Sequence, residues 1–142
     1  MEDKYLVGLD EYKILNENDP VGYVRDISSC IAVLIHREKD SILMHIESYG
    51  KEIYLDNFLE LLKPDPNNVI INIELFKGEH TYNGNLSMLY FIFHRFNIKY
   101  NVYDVFKNNS NETSVGYNFI TKEHYIVRMD KGKPVMRKKK LN

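Results

Sequence analysis

Cys30-Ile31-Ala32-Val33-Leu34-Ile35-His36 is a short apolar run, followed by the charged Arg37-Glu38-Lys39-Asp40 and then by Ser41-Ile42-Leu43-Met44-His45-Ile46-Glu47. A run of this length, apolar almost throughout and rich in β-branched residues, is the pattern of a buried strand. The four charged residues between the runs form a solvated turn, so the stretch predicts an antiparallel hairpin. With the turn near Arg37 to Asp40, the residue facing Cys30 is either His45 or Glu47. In both registers Cys30 and His45 point to the same face, because side chains alternate with period two. Directly opposite, their Cβ atoms stand about 5 Å apart; on the diagonal, about 7 Å. Either spacing lets an imidazole reach a thiol.

Outward from this hairpin the chain continues in short elements. Upstream, Tyr5-Leu6-Val7-Gly8-Leu9 and Tyr12-Lys13-Ile14-Leu15 read as strand, Asn16 to Pro20 as a turn cluster, and Val21 to Ser29 as an extended segment or loop. Downstream, Leu55, Phe58, Leu59 and Leu62 form the stripe of an amphipathic helix, which Pro64 and Pro66 end. Val69 to Phe76 is strand, punctuated by Gly78. Leu86, Leu89, Tyr90 and Phe93 repeat the helical stripe, with Asn85 as its N-cap. Asn101 to Phe106 is strand, Lys107 to Glu112 a polar loop, and Val115 to Ile120 with Tyr125 to Met129 a closing hairpin. Asp130 to Lys133 turns the chain into Arg137-Lys138-Lys139-Lys140, a basic tail. The expected fold is α+β, a sheet covered by two helices, with residues 1–142 as one domain and 131–142 as its C-terminal tail.

Composition narrows the classes. The chain has 142 residues, 44% hydrophobic and 27% charged, which suits one ordinary core. Nineteen Lys plus Arg stand against 20 Asp plus Glu, so a globally basic nucleic-acid binder is not expected. One cysteine makes neither an internal disulfide nor a thiolate zinc cage. The N-terminus is charged, and no run approaches the 18 or so apolar residues of a membrane span. A protein of a reducing compartment, or one exported without a cleaved signal, is expected, with no membrane insertion.

Cysteine is a useful nucleophile only as thiolate, and an adjacent histidine removes the proton and stabilises the anion. Ile27-Ser28-Ser29 before Cys30 places small polar residues where backbone N–H groups can hold an oxyanion. A lone cysteine at the start of a buried strand also serves as a small core hydrophobe, and Ser28 and Ser29 also make an ordinary turn. The other candidates are weaker. Cys30 and His36 share a strand face but lie about 20 Å apart and cannot share a metal. His80, His94 and His124 show no ligand spacing and read as surface residues, while Glu74 and Glu79 read as a solvated strand end.

Val7-Gly8-Leu9-Asp10-Glu11-Tyr12, then Ser29-Cys30-Ile31-Ala32-Val33 and Leu43-Met44-His45, resembles the CheD family of chemoreceptor glutamine deamidases. The similarity continues through Asn85 to Ile98, Asp104, Ser114-Val115, Tyr117-Asn118 and Ile126-Val127-Arg128. Ile27-Ser28-Ser29-Cys30 is also similar to the Leu-Ser-Gly-Cys element of the cytotoxic-necrotizing-factor type of toxin deamidases. The resemblance implies mixed β-sheets in a sandwich with two main helices outside, Cys30 as nucleophile and His45 as general base and acid. It further implies release of ammonia from a protein glutamine through a thioester. CheD proteins carry a threonine six residues before the cysteine, where this chain has Val24. In the toxin group a backbone carbonyl can orient the histidine, which makes the Val24 carbonyl the candidate third element, with Asp26, Ser28 and Ser29 as others. The implied partner is a protein bearing the target glutamine, a bacterial chemoreceptor or a host protein. The implied protein is a monomer with no cofactor and no metal, and the rival is a binding module on the same fold that has lost turnover.

Overall fold

The computed structural model describes residues 4–47, 56–105 and 114–139. The first part contains β1 (Tyr12–Leu15), β2 (Val21–Val24), β3 (Ile31–Arg37) and β4 (Ser41–Ile46). Then come α1 (Asp56–Leu61), β5 (Ile70–Lys77), α2 (Asn83–Arg95) and β6 (Tyr100–Asp104). The chain closes with β7 (Val115–Asn118), β8 (Glu123–Asp130) and β9 (Lys133–Lys139). One sheet has five strands in the order β1-β4-β3-β5-β6, the other four in the order β2-β7-β8-β9. The architecture is mixed α+β with two sheets and two helices, of which α2 is the substantial one.

The opening hairpin forms as its pattern predicts. Ile31 pairs with Ile46, Ala32 with His45 and His36 with Ser41, the register that aligns Cys30 with Glu47. Its turn is held by the Arg37 N–H on the Asp40 carbonyl and by a two-pronged Arg37–Asp40 ion pair at 2.6 and 2.7 Å. Both strands are apolar on both faces because both faces are covered. Ile31, Val33, Ile35, Ile42, Met44 and Ile46 pack with Phe58 and Leu62 near α1 and with Leu86, Leu89, Ile92 and Phe93 of α2. Ala32, Leu34 and Leu43 turn the other way, onto Val24, Ile27, Val115 and Tyr117 from the four-stranded sheet and its approach. The five-stranded sheet is thus the middle of three layers. Parallel β5 and β6 are joined through α2, since a parallel pair needs a long crossover. Asn97 ends α2 in the left-handed region at φ 56°, a conformation asparagine tolerates.

Three expectations are corrected. Tyr5 to Leu9 is not a regular strand: Leu6 makes only an isolated parallel bridge to Tyr23, and Asp10 (φ 58°) then bends the chain. Tyr82, not Asn85, is the N-cap of α2; it makes no side-chain cap, and Asn85 sits buried in the first turn. The tail assigned to 131–142 is instead strand over Lys133–Lys139, the edge of the four-stranded sheet. Lys131 (φ 51°) and Gly132 (φ 78°) are consecutive left-handed residues, the signature of a tight two-residue hairpin turn. A lysine-rich sequence reads as solvated tail, yet lysine is also what protects an exposed sheet edge. Leu55, the polar stretch Lys107 to Glu112, and Lys140 lie outside the described residues.

Candidate active site

His45 lies near the end of β4, and the chain from Val7 to Glu11 folds around it. The Asp10 N–H donates to the His45 carbonyl at 2.7 Å, and the His45 N–H donates to the Glu11 carbonyl at 3.1 Å. The imidazole Nδ1 stands 3.3 Å from the Val7 carbonyl oxygen. A carbonyl only accepts, so Nδ1 carries the proton and Nε2 is left with its lone pair. Nε2 is buried and has no hydrogen-bond partner among the described residues. Burial pushes the His45 pKa below the usual 6.5; the Val7 bond and the charges of Asp10 and Asp26 oppose that shift without cancelling it. The ring is therefore a neutral base at pH 7 with one nitrogen fixed and the other buried without a partner among the described residues.

Cys30 is half-buried and immediately precedes β3. Strand alternation carries it to the side of the sheet shared by Ala32 and His45, on the diagonal to His45, where Cβ atoms are about 7 Å apart. The loop that delivers it is shaped by Asp26 (φ 61°), and the Ser28 N–H donates to the Asp26 carbonyl. This loop lies directly on the link between β5 and α2. The His80 N–H donates to the Ser28 carbonyl at 2.8 Å. The Thr81 hydroxyl accepts from the Gly78 N–H and donates to the Cys30 carbonyl, at 2.9 and 3.0 Å. A side chain at Gly78 would put its Cβ 2.1 Å from the Ile27 carbonyl oxygen and 2.3 Å from that of Ser28. Glycine is required there by close backbone approach.

Of the expected site residues, Cys30 directly precedes β3 and stands two residues before Ala32, the partner of His45 on β4. Ser29 lies half-buried in the loop just before the cysteine. Val24 is corrected: it is fully buried in β2, paired with Val115, and the carbonyl that meets the imidazole is that of Val7. Val7 reaches His45 because Tyr5 to Val7 runs beside β2, with the Val7 N–H on the Tyr23 carbonyl. Thr81 was missed as well. Its sequence signal is a threonine three residues after a glycine that ends a strand, a spacing at which a hydroxyl can close a local turn.

A second polar cluster sits between the sheets, towards the opposite end of β3. Glu74 is a buried member of β5, not a solvated strand end, and His124 of β8 is half-buried, not a surface residue. Both His36 and His124 bring Nε2 to the same oxygen, Glu74 Oε1, His124 at 2.9 Å. The Ser41 hydroxyl bonds the other His36 nitrogen at 2.9 Å, and the Tyr117 ring lies edge-on to the His36 imidazole and tilted against that of His124. Burial alone would raise the Glu74 pKa, but the bonds and charges of the two histidines outweigh it and hold the carboxyl at about 2, against 4.5. Burial, followed by the Glu74 charge, pushes the Tyr117 phenol up to about 12.

A carboxyl whose pKa falls on folding adds stability above its unfolded pKa, and this is lost as pH drops through the folded value. Glu74 should therefore contribute about 3 kcal/mol above pH 4.5 that disappears towards pH 2. Urea midpoints measured between pH 6 and pH 2 in metal-free buffer should fall steeply for the wild type. They should fall less steeply for Glu74→Gln, whose amide does not titrate.

A groove of about 440 Å³ lies away from Cys30, lined by Leu62 to Pro66, Val69 to Ile71 and Phe96 to Lys99. No described helix is long and apolar enough to cross a membrane. No protein-family model matches the chain, and a search of curated proteins finds no match.

Proposed function

We propose that this protein is a cysteine-dependent protein glutamine deamidase of the CheD-like kind, with Cys30 as nucleophile and His45 as general base and acid. The observation that carries this reading is the state of His45: Nδ1 is engaged by the Val7 carbonyl, and Nε2 is buried, unprotonated and unpartnered among the described residues. A buried polar atom left unpaired costs free energy and needs a compensating role, and a general base supplies one. A core histidine would more simply use both nitrogens. The half-exposure of Cys30 and its place two residues before Ala32, the partner of His45, support the same reading.

The chemistry follows from a primary amide meeting a thiol. His45 Nε2 takes the Cys30 proton, and the sulfur attacks the glutamine side-chain carbonyl. Backbone N–H groups of the Ser29–Cys30 approach supply the oxyanion contacts. The imidazolium gives its proton to the departing nitrogen, ammonia leaves, and a thioester remains. Water, deprotonated by the same imidazole, releases glutamate and restores the thiol. The edit adds one negative charge to the target, a chemoreceptor or host protein by the resemblance.

The test is peptide mapping of candidate targets incubated with wild type and with Cys30→Ser. A gain of about 1 Da at one glutamine, as expected for amide replaced by carboxylate, should appear with wild type alone. A second reading, a binding module without turnover, is favoured by one observation: apolar Val24 stands where CheD proteins carry threonine. It requires target capture with no mass change.

A further inference from the structure

We propose that His36 Nε2, His124 Nε2 and a Glu74 carboxylate oxygen form a binding site for a divalent transition-metal ion of the zinc type, joining the two sheets. These three atoms all lie within 4.8 Å of one another. They come from β3, β5 and β8, so distant parts of the chain and both sheets converge on one point. Two imidazole nitrogens and one carboxylate oxygen are the donors that suit zinc, cobalt or nickel rather than calcium or magnesium. Three protein ligands leave a fourth position for water.

The present contacts are those of the protonated form of such a site. Each imidazole points the same nitrogen, Nε2, at the same oxygen, so one cation can replace the two N–H protons that now bridge them. Tetrahedral zinc with bonds of about 2.1 Å spaces its donors roughly 3.4 Å apart. The imidazoles need to withdraw from Oε1 by less than about 1 Å to admit it. A second layer is already built. Ser41 holds His36 Nδ1 and can accept as well as donate, so it suits the tautomer that a metal-bound Nε2 demands. Tyr117 closes one side, 5.0 Å from the His36 ring and 4.9 Å from that of His124. Both imidazoles keep 15% side-chain exposure, which leaves the ion a way in.

Binding is read with Zn²⁺ and Co²⁺ on the full chain stripped of metal. One Zn²⁺ per chain should bind and raise the Tm by several degrees, reversibly with chelator. Co²⁺ should give the intense visible bands of a four- or five-coordinate nitrogen–oxygen site, without sulfur-to-cobalt charge transfer. His124→Gln and Glu74→Gln should each weaken Zn²⁺ binding by at least tenfold, whereas Cys30→Ser and the pair His80→Asn/His94→Asn should leave it unchanged. Absence of binding to the folded wild type would overturn the proposal. So would a thiolate band in the cobalt spectrum, or unaltered affinity in folded His124→Gln. None of these readouts depends on deamidation, so the two proposals stand or fall separately.

Discussion

Replacing His45 by alanine is expected to lower deamidation by about 10²- to 10⁴-fold, the range lost with a positioned acid–base group. Alkylation of Cys30 near neutrality should slow in parallel, because the thiol then loses its proton only to solvent. The direction of the pH profile is set by burial. Since His45 titrates below 6.5, the base form dominates at neutral pH, and the acidic limb of the wild-type rate should lie below that value. In His45→Ala the limb should vanish, and the residual alkylation rate should climb with the pKa of an ordinary thiol, about 8.5. Stopped-flow alkylation from pH 5 to pH 9 measures all of this without a known target. A wild-type thiol that reacts no faster than that of His45→Ala would remove the enzymatic reading.

Gly78→Ala should be the most damaging small substitution outside the pair. The added methyl would meet two backbone carbonyl oxygens, those of Ile27 and Ser28, and neither can swing aside as a side chain would. The approach to Cys30 must move instead, and with it the bond from Thr81 to the Cys30 carbonyl. Overpacking of this kind costs about 1–3 kcal/mol of stability. A displacement near 1 Å at reacting atoms costs about 10²-fold in rate. Gly132→Ala is the matching control. Its Cβ would meet nothing within 4 Å, so only the strain of φ +78° remains, with no backbone of the cysteine loop in its way. Denaturant melts and alkylation rates on the two variants should separate cleanly: both lose stability, only Gly78→Ala loses reactivity.

Much of this arrangement is local, and the local part can be read. Leu86, Leu89 and Phe93 belong to a helix and Ile31 to Ile35 to a doubly covered strand because hydrophobic period follows backbone geometry within a few residues. The same rule places Glu74 on the face of Phe76, between the inward-turned residues of an apolar strand, which is a sign of burial visible before any coordinates. The polar Glu79 that follows gives the same stretch the look of a solvated strand end. The edge strand β9 was hidden by its lysines, which mark a sheet edge and a free tail alike.

The order of residues alone predicted the hairpin that brings Cys30 and His45 near each other, because the two apolar runs and the charged turn between them are local features. It could not say that the Val7 carbonyl orients the imidazole, that Thr81 ties down the cysteine loop, or that His124 meets Glu74 from the other sheet. Each of those contacts joins residues dozens of positions apart. They depend on how sheets and loops stack against one another, a packing outcome of the whole core that no spacing along one strand encodes.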